Sequence, residues 1–142
     1  MTALVFVYGT LKEGFPNFHV NLGSRVPGEF ETVQAYPLYI VGDSRVPWLL
    51  DRPGEGQPVA GELYRVDGPG LARMDELEQV DEPGWYARRS IAVRPRGRPD
   101  GEGAKAFVYF GSQARLADTT IHEGPIAEYT AGQARGYRDG GL

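Results

Sequence analysis

Glycine and proline interrupt this chain so often that only one stretch is regular enough to form a substantial helix. Twenty glycines and eleven prolines make up 31 of 142 residues, and they follow no collagen-like period. That pattern predicts short strands joined by tight turns. Residues 4–8 form a continuous apolar run, rich in β-branched and aromatic side chains, that ends at Gly9. The run predicts a buried central strand leading into a glycine turn. Further extended segments are predicted at 39–41, 48–50, 59–66, 87–93 and 105–110, separated by turn formers such as Pro53-Gly54-Glu55-Gly56 and by the polar loop 94–103. Residues 17–22, between Pro16 and Gly23, predict a short helix. The one long helix is predicted at 69–79, with proline in its first turn and an apolar stripe of Leu71, Met74 and Leu77. Strands with one embedded helix point to an α+β fold with a small mixed, barrel-like sheet rather than a doubly wound parallel one. Length and the lack of a linker or repeat predict a single domain over 1–142, with a flexible tail from about 132.

Composition closes several routes to function. There is no cysteine and there are two histidines, so thiol nucleophiles, disulfide scaffolds and Cys-rich metal sites are excluded, and a Ser-His-Asp triad would have to use His19 or His122. Fifteen basic against nineteen acidic residues leave a net charge of −4, which argues against nucleic acid as a partner. The one basic stretch, residues 88–98, is broken by proline and glycine and reads as a solvated strand and loop. The apolar run at the N-terminus is too short for a signal peptide or a membrane span, so a cytoplasmic protein is expected.

Four features bear on a site. Gly9 and Gly14 have the spacing of a phosphate loop, but Phe15-Pro16 stands where Lys-Ser/Thr would be needed. What remains is a strand-ending turn, Tyr8-Gly9-Thr10-Leu11, whose main-chain N–H groups form either an anion-binding nest or a plain turn. His122-Glu123 begins like a zinc-protease motif, but Ile126 replaces the second histidine and Gly124-Pro125 breaks the helix. On the 69–79 helix, Glu76 points about 160° from the centre of the apolar stripe, whereas Glu78 lies about 40° from it. A carboxylate facing an apolar interior must be paired or gain a proton, so Glu78 is either a general acid/base with a raised pKa or the partner of Arg73, Arg88 or Arg89. Tyr8, Tyr64, Tyr86 and Tyr109, in or beside predicted strands, line a pocket or fill the core. Tyr129 or Tyr137 is positioned in sequence to fold back over a pocket.

These residues also form a known pattern. Val5-Phe6-Val7-Tyr8-Gly9-Thr10-Leu11-Lys12, then Gly14, Pro16-Asn17, Tyr36-Pro37-Leu38, Val46-Pro47-Trp48-Leu49-Leu50, Val59-Ala60-Gly61-Glu62-Leu63-Tyr64, Met74-Asp75-Glu76-Leu77-Glu78 and Tyr86-Ala87-Arg88-Arg89 resemble the γ-glutamylcyclotransferase-like superfamily, and within it the γ-glutamylamine branch. The resemblance spans about residues 4–110 and implies a small barrel-like fold in which a γ-glutamyl amide cyclises to 5-oxoproline and frees its amine. It implies Glu78 as acid/base and Tyr8, Gly9, Thr10 and Leu11 as the binding cavity. Tyr86, Trp48 and Asn17, in matching segments, join them as candidate substrate contacts. It implies a small-molecule γ-glutamyl substrate and no metal or organic cofactor; from the charge and the short apolar run, neither nucleic acid nor a membrane is expected as a partner. A biosynthetic cyclotransferase that removes a γ-glutamyl cap, and a non-catalytic binder of small carboxylates, are the alternatives. The segment 79–85 reads as longer than in relatives, and the stretch after Phe110 has no firm counterpart.

Overall fold

The structure is a computed structural model and describes residues 2–80, 85–98 and 100–138. Among the described residues, nine strands and three short α-helices follow in the order β1 (Thr2–Val7), β2 (Ser24–Arg25), β3 (Phe30–Thr32), β4 (Leu38–Val41), β5 (Val46–Leu49), β6 (Ala60–Asp67), α1 (Gly68–Leu77), β7 (Tyr86–Pro95), β8 (Ala104–Gly111), α2 (Gln113–Ala117), β9 (Ile121–Glu123) and α3 (Ala131–Ala134). The larger sheet closes on itself. Its strands run β1-β8-β7-β3-β6, and β6 pairs back onto β1, with Val7 opposite Glu62 and Thr2 opposite Asp67. All neighbours in this ring are antiparallel except β1 and β8, which run parallel. The short β2 lies beside β3 along the same edge of β6. The barrel-like mixed sheet expected from the turn-rich sequence is the fold observed.

Alternation along the strands divides the core in two. Leu4, Phe6 and Tyr8 of the first strand and its exit turn face the barrel interior, together with Leu63, Ile91, Val93, Ala106, Val108 and Phe110. Val5 and Val7 point the other way and pack with Tyr64, Val66 and Tyr109 against Met74 of α1. The first strand is therefore covered on both faces, which explains why it reads as an unbroken apolar run. A second sheet, β5-β4-β9, sends Leu38, Ile40 and Leu49 into the barrel core, while Val41, Val46 and Trp48 form a separate cluster with Leu50 and Leu116.

Helix α1 begins as its sequence indicates. Asp67 caps it, its carboxylate accepting the Gly70 N–H at 2.7 Å, and proline stands in the first turn. Of the expected apolar stripe, Met74 is fully buried, but Leu77, the last residue of the helix, is 41% exposed. The helix expected at 17–22 is reduced to a single 3-10 turn, Phe18–Val20. Asn17 does not cap it, because its amide is bonded elsewhere. The basic stretch is dispersed into ion pairs, Arg88 with Asp75, Arg94 with Glu31, and Arg96 with Glu29 and Glu128. His122 lies on β9 with its Nε2 2.8 Å from the Gly42 carbonyl. After Phe110 the chain forms α2, β9 and α3, the last closed by a reciprocal capping box between Thr130 and Gln133. Thus part of the segment expected to be flexible from 132 is helix, while 139–142 lie outside the described residues, as do 81–84 of the segment read as long. No helix among the described residues is long and apolar enough to cross a membrane.

Candidate active site

The turn after β1 can be built from its own hydrogen bonds. Gly9 lies against β5, where a Cβ would come within 2.6 Å of Pro47 Cγ, so a side chain there would force the turn off the second sheet. The Lys12 N–H returns to the Gly9 carbonyl at 3.1 Å, and the Asn17 N–H reaches the Thr10 carbonyl at 2.8 Å. The Glu13 N–H donates to the buried Glu62 carboxylate at 2.8 Å. The Lys12 ammonium, itself buried, donates to the Tyr129 carbonyl at 2.6 Å and lies 4.3 Å from the Phe15 ring centroid. Burial lowers the pKa of that ammonium. Every one of these bonds uses a group outside the stretch 9–11 or one of its carbonyls. The N–H groups of Gly9, Thr10 and Leu11 find no acceptor among the described residues, and all three residues line a cavity of about 440 Å³. Consecutive unpaired amides beside a cavity are an anion-binding arrangement.

The opposite feature of the cavity is Glu78. It occupies the C-cap of α1, followed by a Schellman turn in which the Val80 N–H reaches the Asp75 carbonyl and the Gln79 N–H the Glu76 carbonyl, each at 3.1 Å. Gln79 takes the left-handed conformation this turn requires, at φ 55°. Glycine usually holds that place, so a non-glycine residue here stores strain next to the acid. The expected arginine partners are engaged elsewhere: Arg88 lies 2.7 Å from Asp75, and Arg73 lies 3.7 Å from Glu76. Arg89 donates to the Arg88 carbonyl. No ion pair or side-chain hydrogen bond engages the Glu78 carboxyl among the described residues. Burial without compensation pushes it up to about 7 from an ordinary 4.5. Its place at a helix C-terminus acts in the same direction.

Tyrosines surround this carboxyl. Burial, followed by the charge of Glu78, raises the Tyr8 phenol far above its usual value, and burial does the same for Tyr86 and Tyr109. All three are therefore protonated donors at neutral pH. Tyr8 gives its proton to the Tyr109 carbonyl at 2.6 Å, and Tyr109 gives its own to Asp75 at 2.8 Å. Trp48 is fully buried, packs on Tyr86 in a tilted arrangement with ring centroids 4.7 Å apart, and donates Nε1 to the Ser112 carbonyl at 3.0 Å. Tyr64 belongs to the packing under α1.

The cavity wall includes all of Tyr8, Gly9, Thr10, Leu11, Asn17, Trp48, Glu78 and Tyr86, which lie far apart in sequence. Tyr109, which the sequence left between pocket and core, lines it too, as do residues that sequence reasoning did not assign to it: His19, Pro47, Leu77, Gln79 and Trp85. Of the two late tyrosines, Tyr137 lines the cavity, whereas Tyr129 is buried in the barrel core. Trp85 is held by the Arg115 guanidinium 4.4 Å from its ring centroid. His19, exposed on the 3-10 turn, gives no local pattern that would have flagged it.

A chemically equipped cavity on a small closed sheet can be set beside known proteins. Residues 5–128 match the model of the family described as Gamma-glutamyl cyclotransferase, AIG2-like. The chain is 45% identical to Gamma-glutamylaminecyclotransferase B of Danio rerio over 112 residues, covering 75% of this chain and 58% of that protein. It is 41% identical to Gamma-glutamylaminecyclotransferase of Rattus norvegicus over 117 residues, covering 75% of this chain and 76% of the relative. The crystal structure of an AIG2-like protein from Mus musculus superposes with a TM-score of 0.74 at 34% identity, over 96% of this chain and 94% of the other. Agreement in sequence over most of the length and in fold over nearly all of it places the protein: it belongs to the gamma-glutamyl cyclotransferase, AIG2-like family.

Proposed function

We propose that this protein is a γ-glutamylamine cyclotransferase, converting a γ-glutamyl amide into 5-oxoproline and a free amine. The observation that carries the reading is an unpaired carboxyl, Glu78, in the same cavity as the three acceptor-free amides of Gly9, Thr10 and Leu11, with burial pushing that carboxyl up to about 7. Those amides take the α-carboxylate of the substrate. The substrate carries its own nucleophile, because its α-amine closes a five-membered ring on its own γ-carbonyl. Ionised Glu78 takes one proton from the α-ammonium so that the amine can attack, protonated Glu78 gives it to the departing nitrogen as the old C–N bond breaks, and the second proton shed by the ring nitrogen ends on the released amine, which leaves as an ammonium. A value near 7 suits both halves of that shuttle. Holding amine and carbonyl in attack geometry supplies on the order of 7–11 kcal/mol in favourable intramolecular cases. Tyr8 and Trp48 shape the wall, Tyr86 packs on Trp48, and Asn17 braces Thr10 through a 2.9 Å bond to its hydroxyl. The same reading makes the chain a single-domain cytoplasmic enzyme acting on a free small molecule.

The test is 5-oxoproline release from γ-glutamyl-ε-lysine, γ-glutamyl alkylamines, γ-glutamyl dipeptides and glutathione. Release from the amine substrates, lost in Glu78→Gln, is the expected result. Binding of these compounds without release from any would instead identify a carboxylate-binding module.

A further inference from the structure

The cyclisation needs a donor for the oxygen of the γ-carbonyl, which becomes an oxyanion when the ring closes. Several side-chain donors on the wall already have acceptors: the Tyr8 hydroxyl has the Tyr109 carbonyl, the Tyr109 hydroxyl has Asp75, and the Trp48 indole has the Ser112 carbonyl, whereas the Tyr86 hydroxyl on the same wall has neither an acceptor nor an orienting partner among the described residues. Tyr137 is different. Its hydroxyl accepts a hydrogen bond from Asn17 Nδ2 at 3.0 Å, and the same amide group donates to Thr10 Oγ1 at 2.9 Å. A hydroxyl that accepts from an amide keeps its own proton for another acceptor. Asn17 therefore orients both hydroxyls as donors and ties the Tyr137 hydroxyl to the amide turn.

The chain brings Tyr137 there deliberately. The Arg138 N–H bonds to the Ser44 carbonyl at 2.8 Å, on the turn between β4 and β5, and Gly136 lies against Arg45, where a Cβ would come within 2.8 Å of its side chain. Arg45 itself has a left-handed backbone, at φ 52°. The strap is thus latched to the second sheet just before and just after Tyr137. It lies beyond residues 5–128, the extent of the family match.

We infer that Tyr137, oriented by Asn17, donates the hydrogen bond that stabilises the γ-carbonyl oxygen in the transition state. The inference rests on the cyclotransferase reading above. Tyr137→Phe removes one oxygen and leaves the ring and the strap. It is expected to lower kcat on the order of 100-fold, the scale seen when one oxyanion donor is removed, with KM within about 3-fold and an unchanged melting temperature. The loss is the same for small and bulky leaving amines, since the oxygen belongs to the γ-glutamyl half. Wild-type kcat in Tyr137→Phe, a rise in KM alone, or a comparable kcat loss in Tyr86→Phe instead would overturn the assignment while leaving the cyclotransferase reading intact. No 5-oxoproline from the wild-type protein with any γ-glutamyl amine would overturn both.

Discussion

Replacing Glu78 by glutamine tests the site through stability as well as activity. The carboxyl has a pKa of about 7 in the folded chain and an ordinary value of 4.5. Between those two pH values the native state holds a proton that the unfolded chain has released, so stability falls as pH rises through the window and the ionised form is a burden above it. A shift of this size corresponds to roughly 3 kcal/mol at pH 8 and about 1 kcal/mol at pH 5. Glutamine keeps the shape without the charge. The variant is therefore expected to be more stable than wild type by roughly 3 kcal/mol at pH 8, with most of that gain gone at pH 5. Urea denaturation of both proteins at the two pH values measures it, beside 5-oxoproline release. Wild-type kcat/KM rises with pH through a midpoint near 7, as the base form is populated, and Glu78→Gln abolishes turnover while remaining folded. Equal stability of the two proteins at pH 8, or an activity midpoint near 4.5, would refute the claim that an uncompensated carboxyl drives the reaction.

Three further outcomes follow from particular contacts. Asp75→Asn removes the charged partner of Arg88, a pair in which both side chains are 28% exposed, and the charged acceptor of the Tyr109 hydroxyl; it is expected to cost about 1 kcal/mol in denaturation. Gly9→Ala drives a methyl group toward Pro47; steady-state kinetics are expected to show KM raised about 10-fold or more, together with a stability loss of about 1–3 kcal/mol. Gln79→Gly relieves a left-handed backbone at the end of α1 and is expected to raise stability by about 1 kcal/mol, measured by thermal melting.

Much of the scaffold is legible because it depends on local rules. The apolar run at 4–8, the glycine that ends it and the capped helix after Asp67 are each set by nearest-neighbour sterics, alternation and capping, and each appears where the sequence places it. The position of Glu78 on the inner side of its helix follows from helical periodicity alone. Leu77 shows the limit of that rule. Periodicity assigns it to the core, but the helix ends at that residue and leaves it exposed at the cavity. The strap at 131–138 mixes the two: the Thr130–Gln133 capping box of its helix is local, but its attachment at the cavity comes from bonds to Ser44 and Asn17, distant in sequence.

By itself, then, the sequence determined the chemical inventory: one carboxylate on an apolar face, a glycine turn ending a buried strand, and no thiol. Whether Glu78 is half of a salt bridge was decided only in three dimensions, where Asp75 and Glu76 engage Arg88 and Arg73 and leave it unpaired among the described residues. The same is true of Tyr137, which enters the cavity from the far end of the chain. The physical reason is common to both. A pKa and a hydrogen bond are set by which groups surround an atom, and in a closed sheet those groups come from every part of the chain.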